Sequence, residues 1–202
     1  AGKRSVVLDL ETPAGRESLL ALADRADLMV EDFGPGGLSA RGLSFETLQE
    51  RNPSLSLLSI SPWGLEGPWK DRPATEWTIA AEVGSTAYRG LPERGPVGAG
   101  GRFGEWVTGT YAGVAALSAW RAARRSGVGE HVDLSVFESL NLTMTVYHDL
   151  QGQFFEGPLA QAIEIPSIVP AKDGWVGVCT YTGQQWKDFC ALLGRPDVGE
   201  DE

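Results

Sequence analysis

The chain has 202 residues, a net charge of −10 at pH 7 and a hydrophobic fraction of 42% that includes seven Trp and seven Phe. That is apolar material for one large core, or for one domain and part of a second, and the negative balance argues against nucleic acid and anionic membrane surfaces as partners. No apolar run approaches the ~20 residues of a membrane helix, no basic-apolar-small leader is present, and two Cys with two His argue against a metal site.

In chain order, Ser5–Leu10 reads as a short buried strand. Thr12 then caps a helix with Pro13 at its first position and Leu19, Leu20 and Ala23 as its buried stripe, and Asp27–Val30 is the next strand. This strand–helix–strand unit predicts a parallel, doubly wound sheet. The strand runs into Glu31-Asp32-Phe33-Gly34-Pro35-Gly36-Gly37. Open α/β sheets bind ligands at that carboxyl end; an ordinary tight turn is the plain alternative. A helix over Ser44–Arg51 stops at Asn52-Pro53, and a third strand over Ser54–Ser61 ends in Pro62-Trp63-Gly64. A Gly/Pro-rich loop leads to a short helix over Glu76–Val83, and residues 84–104 read mostly as loop.

The stretch Gly104–Val136 combines a long helix, the turn Gly127-Val128-Gly129 and a strand over 130–136. Val107, Tyr111, Val114, Leu117 and Trp120 recur at helical spacing and predict one buried stripe, while Gly109, Ala112, Gly113 and Ala116 leave the other side thin, for close backbone packing. Glu105 is a lone carboxylate at the first turn of this helix, after a glycine-rich loop. Two roles are open to it: a charge favoured by the helix dipole, or a nucleophile presented to a bound thioester. Another helix follows, roughly Phe137–Phe155, then a linker over 156–170. A smaller unit starts at Asp173, with a strand over Trp175–Tyr181 and a helix whose first turn holds a Thr182/Gln185 capping box. Cys179 and Cys190 read as free buried thiols on that strand and helix, which points to the cytoplasm. His131 and His148 read as structural or surface residues.

Many short motifs in one order resemble the family III CoA-transferases (the CaiB/BaiF family) over essentially the whole chain. They are Gly2–Leu10, Thr12-Pro13-x-Gly15, Ala26-Asp27-x-x-Val30-Glu31-x-Phe33-x-Pro35-Gly36, Gly42-Leu43, Asn52-Pro53, Ser59-Ile60-Ser61-x-x-Gly64-x-x-Gly67-Pro68, Gly127-x-Gly129-x-x-Val132-Asp133-x-Ser135 and the run from Asp173-Gly174-Trp175 to Trp186–Pro196. The resemblance implies a Rossmann-like large domain (1–155) that lacks its first strand–helix unit, plus the start of a smaller α/β domain (171–202), both belonging to a longer chain. It also implies an interlocked dimer, homomeric or heteromeric, acting on acyl-CoA and a carboxylic acid without a metal.

Carried over residue by residue, the family's catalytic Asp falls on Glu105, a departure that lengthens the nucleophile by one methylene. Glu76 falls where the family often has an acidic residue near the site, and is either a second carboxylate or an exposed helix charge. The base of the racemase branch falls on Thr75, which cannot abstract an α-proton, so racemisation of 2-methylacyl-CoA is disfavoured. Coenzyme A contacts fall on Leu8, Asp32 and Phe33, with Asp32 replacing a more usual Asn. A phosphate-binding Arg falls on Ala40, with Arg41 next door as a substitute, and a lysine of some members falls on Glu11. These departures leave a second expectation beside transfer through Glu105: a catalytically inactive CoA-binding or dimer-partner subunit.

Overall fold

A computed structural model describes residues 2–86, 95–144, 167–180 and 182–200. The chain divides into two compact units, residues 1–86 with 98–157 and residues 87–97 with 158–202.

In the first unit, helix α1 (Pro13–Ala23) begins where the sequence predicts, with the Thr12 hydroxyl accepting the Gly15 N–H and Pro13 at the first position. Strand β1 (Leu28–Glu31) follows, then a single 3₁₀ turn (Ser39–Arg41), helix α2 (Phe45–Arg51) capped by Ser44, and strand β2 (Ser56–Ser61). The Asn52 side chain stops α2 and donates to the carbonyls of Ala23 and Ala26, which ties the end of α1 to the start of β2. Helix α3 (Glu76–Glu82), the 24-residue helix α4 (Phe103–Ser126), strand β3 (His131–Ser135) and helix α5 (Val136–Met144) complete the described part of this unit. The sheet is parallel, in the order β1-β2-β3, with Val30 opposite Leu58 and Leu58 opposite Val132.

Both faces of the central strand β2 are covered. Leu43, Leu48, Leu55 and Leu57 pack with Ala23 and Leu38 from the α1–α2 side, and cutting any of these buried leucines to Ala costs about 2–5 kcal/mol. On the opposite face the Ser56 hydroxyl donates to the Ala119 carbonyl, a contact with the backbone of α4 itself. The fold is therefore the α/β, doubly wound arrangement the sequence predicts.

Three local expectations are corrected. Ser5–Leu10 forms no strand: Val7 is 94% exposed, and among the described residues β1 pairs only with β2. A strand exists through its ladder, and apolar composition does not supply one. Helix α4 buries the predicted stripe only in part: Val107, Tyr111 and Trp120 are half-buried. Gly104, Thr108, Ala119 and Ala123 face inward, whereas Val114 and Leu117 stand 64% and 65% exposed. Small side chains win that face because the sheet approaches the helix backbone closely, and a larger residue there would push it off. Gly109 and Gly113 are on the exposed side, where an added Cβ would meet nothing. The residues beyond Met144 in the helix expected over 137–155, and residues 87–94 of the expected loop, lie outside the described residues, as does His148.

In the second unit, strand β4 (Ser167–Pro170) pairs antiparallel with β5 (Trp175–Val178), ahead of helix α6 (Gly183–Leu192) and a short α7 (Pro196–Gly199). The expected linker thus contains a strand at its end, two prolines having masked the signal; residues 156–166 lie outside the described residues. The Thr182/Gln185 capping box is present. Strand β5 stops at Val178, Tyr181 is outside the described residues, and Cys179 is exposed and not buried, since the strand itself is exposed at Trp175 and Val176; Cys190 is buried and free.

Candidate active site

Helix α4 runs back along the sheet before β3, so its N-terminus lies at the carboxyl edge of the strands. The Ser56–Ala119 contact fixes its register at the start of β2. Glu105 is fourteen residues above Ala119, ~21 Å along the helix, while β2 rises only ~17 Å from Ser56 to Ser61. Glu105 therefore stands just past the carboxyl edge of the sheet, at the third position of α4. Its carboxylate is more than half exposed, pairs with Arg102 at 2.5 Å, and lines an open groove of about 480 Å³ with Trp106, Gly109 and Thr110. Arg102 was not among the expected site residues; the Arg-x-x-Glu spacing on one helical turn is the signal that would have found it.

The second carboxylate comes to the same helix end. Helix α4 has no side-chain cap from Arg102; instead Glu76 Oε1 accepts the Gly104 N–H at 2.5 Å. Thr75 is the cap of α3, its hydroxyl accepting the Thr78 N–H while Thr78 Oγ1 accepts the Thr75 N–H. The position of the racemase base is thus a helix cap with its hydroxyl engaged. The side chains of Ile79 and Val83 from α3 bury with Trp63 and Leu140, and Phe103 and Val107 of α4 pack on that cluster, which gives the two carboxylates one shared base.

The Gly/Pro-rich loop after β2 is ordered by aromatic contacts that the sequence reading missed. Trp63 and Trp69 meet edge to face, and the Arg72 guanidinium lies 5.1 and 5.0 Å from their rings. Trp63 Nε1 donates to the Arg72 carbonyl, and Arg72 pairs with Glu82 of α3. The Asp133 carboxylate of β3 accepts the Leu65 N–H at 2.8 Å, where Gly64 turns the chain with φ 92°.

The residues expected to hold coenzyme A gather in part. Arg41 lies 5.5 Å over the Phe33 ring, and it lines a groove of about 520 Å³ with Glu11, Arg16 and Ala40. The Arg41 donors are already used: Nε on Glu11 Oε1 and Nη1 on the Gly37 carbonyl, both at 2.8 Å. Arg16 donates to the carbonyls of Leu10 and Glu11. The buried Glu31 carboxylate accepts the Phe33 N–H, and Gly37 lies so close to Phe33 that a Cβ would come 2.6 Å from its Cβ and 2.7 Å from its carbonyl oxygen, so the loop turns tightly at that residue. Asp32 is exposed and Leu8 half-buried on the extended segment before α1. A groove lined by two guanidinium groups fits phosphates, with the Phe33 ring against Arg41 but outside the lining, provided that the Glu11–Arg41 pair opens; an exposed pair of this kind holds by only ~1 kcal/mol or less.

Among the described residues, no group of three or more His, Cys, Asp or Glu side chains could hold a metal, and no helix is long and apolar enough to cross a membrane. The profile of CoA-transferase family III matches residues 1–202. The chain belongs to that family. It is 30% identical over 205 residues to the succinyl-CoA–D-citramalate CoA-transferase of Chloroflexus aurantiacus, covering 98% of this chain and 51% of that one. It is 32% identical over 206 residues to subunit BbsE of the succinyl-CoA:(R)-benzylsuccinate CoA-transferase of Thauera aromatica, covering 99% and 50%. The crystal structure of a CAIB/BAIF family protein from Brucella suis superposes with a TM-score of 0.79 at 29% identity, over all of this chain and 55% of that one. The chain spans about half the length of the curated relatives it matches.

Proposed function

We propose that this chain carries the nucleophile of an enzyme that moves CoA between an acyl-CoA and a carboxylic acid, with Glu105 as that nucleophile. The observation that supports this reading is the exposed Glu105 carboxylate, in an open groove at the N-terminus of α4 and past the carboxyl edge of a parallel sheet. The Glu105 carboxylate attacks the thioester carbonyl, CoA thiolate leaves, and a mixed anhydride remains. The thiolate then attacks the glutamyl carbonyl of that anhydride, releasing the first acid and leaving a glutamyl thioester. The second carboxylate attacks the thioester carbonyl, and the thiolate returns to the acyl carbonyl of the new anhydride, which regenerates Glu105. The Arg102 pair is exposed and little hindrance to the first attack.

Phe33 and Arg41, with Leu8 and Asp32, would take the adenine and phosphates of CoA. The two transferases named above are described by small acids bearing a second carboxylate, and such acids are the substrates to try first. A dimer, of two copies or with a second chain, is the assembly we propose, the Thauera relative being named as a subunit. Racemisation has no support, since the Thr75 hydroxyl is committed to its helix cap.

One observation favours a second reading, a CoA-binding partner subunit without chemistry of its own: Glu11 occupies the donors of Arg41. The two separate by trapping. The intact protein is incubated with succinyl-CoA and then with hydroxylamine or borohydride, and its peptides are mapped by mass spectrometry. Modification of Glu105, absent in Glu105→Ala, is the expected result. CoA binding without any adduct or transfer would overturn the nucleophile in favour of the partner subunit, and a Glu105→Ala variant that transfers as well as the parent would overturn the nucleophile by itself.

A further inference from the structure

The first turn of α3 presses on both ends of the glycine-rich segment that leads into α4. Trp77 lies over Gly98, where an added Cβ would come 2.6 Å from the indole ring. The preceding residue, Glu76, lies over Gly104, where an added Cβ would come 2.8 and 2.9 Å from the two carboxylate oxygens. Glycine at that point lets the Glu76 side chain keep its place, and Glu76 Oε1 accepts the Gly104 N–H. The helix it caps is 24 residues long, has no cap from its own Arg102, and carries Glu105 as the very next residue. The near end of Glu76 is held as firmly as its far end: α3 has the reciprocal Thr75/Thr78 box and buries Ile79 and Val83.

We infer that Glu76 is a positioning residue, which uses its carboxylate as a hydrogen-bond acceptor for Gly104 to aim the first turn of α4, and with it the Glu105 carboxylate, and does not act as a second acid or base. The inference rests on the reading of Glu105 as the nucleophile. Its chemistry is specific. An acceptor oxygen is what Gly104 requires, so an amide oxygen serves, whereas proton transfer requires the carboxyl group itself.

The test compares Glu76→Gln, Glu76→Ala, Gly104→Ala and the double variant Glu76→Ala/Gly104→Ala in the intact protein. Transfer kinetics from succinyl-CoA, adduct formation on Glu105 and hydrogen exchange at the Gly104 amide are the readouts. Glu76→Ala is expected to lower kcat ~10- to 100-fold with KM for the acyl-CoA within about threefold, because a displacement of ~1 Å at a nucleophile costs on that order. Glu76→Gln is expected to stay within about fivefold of the parent, with an unchanged pH–rate profile and slow exchange at Gly104. Gly104→Ala displaces the same carboxylate, so the double variant loses no more than the poorer single variant. A Glu76→Gln variant as impaired as Glu76→Ala, or one that loses a limb of the pH profile while the parent still forms its adduct, overturns the positioning role alone. Additive losses in the double variant do the same. Absence of an adduct on Glu105 in the parent overturns the nucleophile and the aim assigned to Glu76 together, and exchange at Gly104 then still reports whether the cap exists.

Discussion

Glu11 holds Arg41 through a single oxygen: Nε and Nη2 of the guanidinium both lie 2.8 Å from Glu11 Oε1. A phosphate that reaches Arg41 must displace that carboxylate and then sit beside its charge. Glu11→Gln should therefore tighten CoA binding by about two- to fivefold, since exposed pairs are worth up to ~1 kcal/mol. Isothermal titration of the intact protein with CoA at two salt concentrations measures this, and the gain shrinks at the higher salt as the charges are screened.

Gly129 is a point where two backbones touch. An added Cβ would fall 1.8 Å from the Leu55 carbonyl oxygen, beside the bond from Gly129 N–H to the Pro53 carbonyl. Neither side is a flexible side chain, so the start of β3 would have to move. Gly129→Ala is expected to lower stability by at least ~2 kcal/mol in urea unfolding, at the upper end of overpacking costs.

The hydroxyls of Ser61 and Thr108 are buried and make no hydrogen bond within the described protein. An unpaired buried hydroxyl costs roughly 1–3 kcal/mol, and Val has nearly the shape of Thr. Thr108→Val should leave stability unchanged or raise it by up to ~1 kcal/mol, read as a shift in the urea midpoint at constant slope.

Arg51 grips Asp24 with two bonds, Nε to Oδ1 at 2.8 Å and Nη2 to Oδ2 at 2.6 Å. The bond from Arg51 holds the Asp24 carboxyl below its ordinary range. A lowered folded-state pKa adds stability that is present above the unfolded value, ~3.9, and is lost as the pH falls through the folded value. Asp24→Asn should lower the Tm at pH 7, and the difference from the parent should close as the pH drops below about 4. A difference that persists unchanged in acid would show that the pair contributes through packing alone.

Much of the fold was legible because caps and breakers are local. Thr12 with Pro13, Ser44 and the Thr182/Gln185 pair each act within one turn of the chain, and each marks its element. The failures were non-local. Ser5–Leu10 has strand composition, but composition cannot report that no neighbour among the described residues supplies a ladder. The spacing of Val114 and Leu117 says that one side of α4 is apolar; it cannot say that the backbone at Ser56 comes close enough to demand Ala119 instead. The candidate site divides in the same way. Glu105 was placed on the first turn of its helix by counting residues, whereas the bond from Gly104 to Glu76 spans 28 residues and the Glu11–Arg41 pair spans 30. No periodic pattern carries information over such separations.

Helix α4 behaves mechanically as a lever. One end is bedded at Ala119 and Ala123, and Glu105 rides ~27 Å from Ala123 at the other, where Phe103 and Val107 rest on the cluster of Trp63, Ile79, Val83 and Leu140. At that radius, rotation by two degrees about the buried end sweeps Glu105 through ~1 Å, enough to cost on the order of a hundredfold in rate. The angular tolerance of the site is therefore a few degrees at most. A restraint at the tip, where the carboxylate of Glu76 meets the helix, opposes such tilting at the long arm of the rotation.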